Sequence, residues 1–174
     1  TTTVFEGRQA VGQFTYNHVK SCWGGGGWGL ILTKTRWTDD QAPANAMGPA
    51  REKDGLSGYH DLYFHCLDEN EKPVGEPFFI NHRSGSGGAV VWLGNFYILY
   101  YSDTYANIMR AVKIDLKGRV IDQSRLVMDL GSGNIISVKD AIVTKNGIIV
   151  LYTVENRQTG DEYSALVTMG LDNQ

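Results

Sequence analysis

Apolar residues along this chain come in strand-sized runs separated by turns rich in glycine, asparagine and aspartate. That spacing predicts antiparallel strands joined by hairpins. In the middle of the chain, Ala89-Val90-Val91-Trp92, the turn Leu93-Gly94-Asn95 and the run Phe96-Tyr97-Ile98-Leu99-Tyr100-Tyr101 read as strand, hairpin and strand. A link over residues 102–107 leads to a strand over 108–115, the turn Leu116-Lys117-Gly118-Arg119 and a strand over 120–130.

The same order recurs on either side. The first unit has strands over 19–23 and 28–35 around the turn Gly24-Gly25-Gly26-Gly27, a long link over 36–59, then strands over 60–67 and 76–81 around a turn over 68–74. The last unit has strands over 140–143 and 148–154 around Thr144-Lys145-Asn146-Gly147, whose Asn-Gly pair is a strong hairpin signal. A link over 155–161 and a strand over 162–170 follow. Leu67-Asp68, Ile114-Asp115 and Leu171-Asp172 each stand before the same turn of the repeat.

Val91-Trp92-Leu93-Gly94-Asn95-Phe96-Tyr97 and Ile114-Asp115-Leu116-Lys117-Gly118-Arg119-Val120 resemble the two hairpins of a β-propeller blade. The resemblance implies an all-β domain over 1–174 built of three four-stranded antiparallel blades, at about 17–81, 88–130 and 138–174. The last unit stops where its fourth strand would begin, while Val4-Phe5-Glu6 takes the place held by Phe78-Phe79-Ile80 and Val127-Met128-Asp129 in the other units. Residues 2–7 are therefore expected to be a fourth strand that completes a last blade, the device that closes a propeller and removes its exposed edges. Three blades are fewer than the ~4 to 8 of a closed ring, so the expected partner is a second copy in a two-fold homodimer, or another chain. The alternative architecture is a β-sandwich or barrel.

Composition narrows the functional classes. With 16 Lys plus Arg against 19 Asp plus Glu in 174 residues, the net charge is −3, which offers no footprint for nucleic acid. The longest apolar runs, 96–101 and 148–154, fall far short of the ~18 residues of a membrane helix, so no membrane span is expected. The chain begins Thr1-Thr2-Thr3-Val4 without Met, which reads as a processed, fragmentary or trimmed end. Neither a secreted nor a cytoplasmic location is singled out. Cys22 and Cys66 fall on the first and third strands of one unit, too far apart for a disulfide.

Links between second and third strands, and between successive units, share one face of a propeller, and function concentrates on such loops. The ligand-binding candidates are Trp37, Asp40, Arg51, Asp54 and His60 around the long link, His82 and Arg83 in the segment 81–88, and Asp103 and Tyr105 in the link 102–107. Aromatic rings, carboxylates and guanidinium groups in one surface suit a binding module for a carbohydrate or protein partner. One alternative is a glycosidase-like hydrolase using a carboxylate pair drawn from Asp40, Asp54, Asp103 and Asp140, although Ser102-Asp103 lacks the Ser-x-Asp-x-Gly-x-Thr-Trp pattern of sialidase-like blades. Another is a structural subunit of a larger complex. No metal site is expected, since His18, His60, His65 and His82 lack ligand spacing and Asp39-Asp40 lacks the alternation of a calcium loop. No cofactor is expected either: the four glycines at 24–27 have no Gly-Lys-Ser/Thr and read as a flexible turn, flanked by Trp23 and Trp28 in the core or at its rim. Thr1 as a processed nucleophile is disfavoured by its place at the start of an edge strand.

Overall fold

The computed structural model describes residues 16–38, 57–82, 84–103 and 107–170. Eleven strands and no helix occur among them, so none contains a helix long and apolar enough to cross a membrane. The strands are β1 (Tyr16–Gly24), β2 (Gly27–Thr38), β3 (Ser57–Asp68), β4 (Pro73–Asn81), β5 (Ser84–Trp92), β6 (Tyr97–Asp103), β7 (Ile108–Ile114), β8 (Val120–Asp129), β9 (Asn134–Thr144), β10 (Gly147–Asn156) and β11 (Glu162–Met169). They form three antiparallel sheets of hydrogen-bonded order β1-β2-β3-β4, β5-β6-β7-β8 and β9-β10-β11. These sheets remain separate, with no closed barrel among the described residues.

The sheets stack face to face, and their first strands lie side by side, with β5 packed against both β1 and β9. One core joins Ile31, Leu62, Phe64 and Cys66 of the first sheet to Tyr97, Leu99, Tyr101 and Ile114 of the middle sheet. The other joins Ala89, Ile98, Tyr100 and Met109 of the middle sheet to Ile136, Val138, Ile148, Val150 and Val154 of the third. Because side chains alternate along a strand, β6 serves both cores, its odd positions facing the first sheet and its even positions the third. That is why Tyr97-Ile98-Leu99-Tyr100-Tyr101 is apolar without interruption and buried throughout.

The repeated turns use one mechanism. Asp115 Oδ1 accepts the backbone N–H groups of Lys117 and Arg119 at 2.8 and 2.9 Å, and Asp68 Oδ1 accepts those of Asn70 and Lys72 at the same distances. Both aspartates also share the backbone bonds that close the turn. Gly118 takes the left-handed φ of 76° this turn requires, and in the first sheet Glu71 stands in its place at φ 61°. A β-carbon in that region costs about 1 kcal/mol, so Glu71→Gly is expected to raise stability by up to ~1 kcal/mol. Urea titration of the two proteins checks it.

Asp115 gives the turn a pH dependence. Some desolvation acts against its charged form, but the Arg119 backbone and guanidinium bonds, with the Lys117 N–H, hold its carboxyl below the usual carboxylate range. A folded pKa below the unfolded one stabilises the fold above the unfolded value, ~3.9, and that stabilisation is lost as pH falls through the folded value. Wild type is therefore expected to exceed Asp115→Asn in stability at pH 7, with the gap closing below about pH 4. Parallel denaturation curves across pH measure it.

Several expectations change. The first strands are longer than their apolar runs, because Ser84 and Gly88 pair with β6 and residues 134–138 with β10. Backbone pairing needs no apolar side chain, so Ser and Gly extend β5 where hydrophobicity gave no signal. The four glycines are not a loose turn. Gly25 and Gly26 adopt φ 62° and 82°, and Trp92 lies where a β-carbon on Gly24 would point, 2.0 Å away. Tyr97 OH sits between the Gly24 and Gly27 carbonyls at 2.8 and 3.1 Å, tying this hairpin to the middle sheet. At the β9–β10 hairpin the turn residues are Lys145 and Asn146, while Gly147 opens β10 at φ 145°.

The pairing also revises one match of the repeat. Gly27 opposes Asp68, and Ile148 opposes Met169 as Tyr97 opposes Ile114, so Gly170 takes the place of Asp68 and Asp115 in the third sheet. Leu171 and Asp172 lie outside the described residues, as do residues 2–7. Cys22 and Cys66 are free thiols on strands separated by β2, as the register predicts. Burial and the nearby Asp115 carboxylate push the Cys66 thiol up to about 11. His65 is a packed histidine whose pKa burial lowers.

Candidate functional site

Strands β2, β4, β6, β8 and β10 end, and β1, β3, β5, β7, β9 and β11 begin, at one common end of the three sheets. The polar groups of interest gather at this end, held by the rigid ladders below them.

On the outer face of the first sheet, His82 follows β4 directly and its Nδ1 lies 3.0 Å from Asp61 Oδ1 on β3. Asp61 is 2% exposed in its side chain and His82 63%. A carboxylate only accepts, so the Nδ1–H donates to Asp61. The imidazole also packs on Phe79, with ring centres 4.4 Å apart, and Phe79 meets the edge of Tyr63 at 5.6 Å. Lys34 Nζ stands 5.9 Å above the Tyr63 ring. The result is an apolar ring surface bordered by a histidine, a buried carboxylate and an ammonium.

Between the first and middle sheets, Asp103 at the end of β6 lies 3.6 Å from Arg110 Nε on β7. Below it, Tyr101 OH is 2.9 Å from Ser124 Oγ, and burial raises the Tyr101 hydroxyl pKa. Between the middle and third sheets, Arg157 Nη2 donates to Asn107 Oδ1 at 2.5 Å. Asn107 is buried and left-handed at φ 57°, a conformation asparagine tolerates better than other side chains. Ser102 Oγ accepts the Val138 N–H at 2.9 Å, joining the two sheets. The link from β6 to β7 is thus held at both flanks, Asp103 by Arg110 and Asn107 by Arg157. Arg157 Nε is buried without a hydrogen-bond acceptor among the described residues.

The chain matches no family model, no curated protein and no solved structure. Geometry therefore carries the functional reading.

Of the sequence candidates, His82 and Asp103 stand at this end of the sheets with side chains described. In the backbone register, Trp37 opposes Gly58 near the end of β2 and His60 opposes Thr35 near the start of β3. Asp40, Arg51, Asp54, Arg83 and Tyr105 lie outside the described residues. Asp140 does not reach this face. It lies six residues into β9, about 20 Å along the strand from its start, and pairs with Lys20 at 3.2 Å. It therefore forms no carboxylate pair with Asp103. No group of three or more His, Cys, Asp or Glu side chains capable of holding a metal occurs among the described residues.

Sequence reading missed Asp61, Arg110, Asn107 and Arg157. Asp61 and Arg110 fall inside strands, and their roles depend on partners 21 and 7 residues away. Asn107 stands at the edge of a recognised link, and an asparagine before an apolar strand was a usable signal for a left-handed turn. Nothing in sequence order joins it to Arg157, 50 residues on.

Proposed function

We propose that this chain comprises three consecutive blades of a β-propeller and acts as a binding module, taking a glycan at the strand ends where its links converge. Three features support the propeller reading: successive units of four, four and three described strands in hairpin order, first strands lying side by side, and one face of each sheet stacked on the next.

The observation that carries the ligand reading is the combination at one end of the sheets of the Phe79 and Tyr63 rings with His82, Asp61 and Lys34. Sugars present apolar C–H faces and rings of hydroxyls. An exposed aromatic surface stacks on the former, while a fixed imidazole and charged groups hydrogen-bond the latter. Arg110 and Arg157 add guanidinium donors on either side of the middle sheet. Extended ligands suit such a row of separate polar stations better than a single deep cavity.

A glycan array followed by titration of the hits tests the reading. Wild type is expected to bind with a dissociation constant that rises at least ~10-fold in His82→Ala and in Arg110→Ala, with the fold retained by circular dichroism. Binding that neither substitution weakens, or a blank array, would reject it. Turnover of chromogenic glycosides would replace it with the hydrolase reading.

A further inference from the structure

The link from β6 to β7 is pinned by an arginine at each flank, and the two pins differ in charge. At its start Asp103 lies 3.6 Å from Arg110 Nε, a carboxylate against a guanidinium. At its end Asn107 Oδ1 accepts from Arg157 Nη2. The acceptor there is a neutral amide, and no carboxylate among the described residues forms an ion pair with Arg157. Asp161, in the same turn as Arg157, instead accepts the Thr159 hydroxyl at 2.6 Å.

Arg157 is half-buried, and its Nε is buried without an acceptor. A guanidinium taken partly out of water is ordinarily matched by a carboxylate, because nothing else offsets the desolvation of its charge. Its position is fixed by backbone. The Arg157 N–H donates to the Gly133 carbonyl at 2.9 Å, and Asn156 beside it accepts the Gly160 N–H on its carbonyl at 2.8 Å and the Gln158 and Thr159 N–H groups on Oδ1 at 2.9 and 3.1 Å. Three connections therefore meet at this one cation: the β6–β7 link, the segment before β9 and the β10–β11 turn.

The residue at position 107 carries the argument further. A pin alone would be better made by aspartate, which tolerates the left-handed φ of 57° as asparagine does, has nearly the same size, and would bond the guanidinium with charge assistance, about twice as strongly. Asparagine holds the link and leaves the positive charge uncancelled.

Resting on the glycan-binding reading, we propose that Arg157 is the anion-recognising station of that surface: the ligand carries an acidic group, a carboxylate or a sulfate, that supplies the counter-charge Asn107 does not. The planar fork of a guanidinium matches the paired oxygens of either group. Arg110 already faces Asp103, so an acidic group gains less there, and Arg157 sets which sugars are selected.

Inorganic sulfate tests the station without any sugar. At equal ionic strength, sodium sulfate is expected to raise the melting temperature over sodium chloride by more in wild type than in Arg157→Gln or Asn107→Asp, the second variant itself melting no lower than wild type. General stabilisation by sulfate is common to all three proteins, so the difference reports binding. A glycan array presenting each sugar backbone in neutral, carboxylated and sulfated form then identifies the source of the anion. Wild type is expected to hold one acidic form at least ~10-fold tighter than the neutral one, and both variants to reduce that preference below ~2-fold. Equal sulfate responses in the three proteins, or acidic and neutral forms bound alike by wild type, would overturn the proposal. Neutral glycan binding that His82→Ala weakens would then leave the binding-module reading standing. A blank array beside a sulfate response lost in both variants would reject the glycan and support Arg157 as an anion station alone.

Discussion

Leu99→Ala is expected to destabilise the protein by about 4 kcal/mol, measured by urea denaturation at neutral pH. Leu99 is wholly buried on β6, among Ile31, Phe64, Val112 and their neighbours between the first and middle sheets. Truncation loses the transfer free energy of three carbons and leaves a cavity that strand ladders on both sides keep from collapsing; such losses run to about 2–5 kcal/mol. The middle sheet also fixes what the denaturation curve looks like. Ile98 and Tyr100, adjacent on the same strand, belong to the other core. A loss of order in β6 loosens both cores together, so fluorescence and circular dichroism should follow one shared transition, displaced as a whole. Two transitions, only one of them moved by the substitution, would show the first and third sheets melting independently and would remove the middle sheet from this role.

Gly147→Ala is expected to cost about 3 kcal/mol, by the same measurement. Gly147 opens β10 at φ 145°, a region that side-chain-bearing residues rarely adopt, and a β-carbon there would lie 2.1 Å from the Met169 carbonyl oxygen. The obstacle is backbone within the β10–β11 ladder, so relief requires shifting the pairing itself. Conformational strain of about 1–3 kcal/mol and overpacking of similar size both apply. Gly133→Ala is the control: nothing lies within 4 Å of its β-carbon position, and the change is expected to stay within about 0.5 kcal/mol. Equal effects at both sites would mean that the close approach at Gly147 is not what the residue serves.

The contrast between these glycines marks how much of the site and fold was legible beforehand. Asn146-Gly147 announced a hairpin correctly, because turn chemistry is a property of adjacent residues. It did not announce that Gly147 is required by a carbonyl 22 residues further on. His82 and Asp103 were legible as loop-end residues because the repeat located the loops. Their partners were not: Asp61 sits within a strand whose alternation made it one polar residue among several, and Arg157 reaches Asn107 only once the third sheet has stacked on the middle one.

Hydrophobic alternation and turn residues act over a few positions, so the sequence by itself determined the order of strands and hairpins, the antiparallel class, and the repeat that divides the chain into three units. Strand ends, the burial of both faces of β6, and the meeting of Asp61 with His82 and of Asn107 with Arg157 depend on sheets approaching one another across long stretches of chain. Only the tertiary structure decided those, because pairing energy along a ladder and burial between two sheets exist only after both partners are in place.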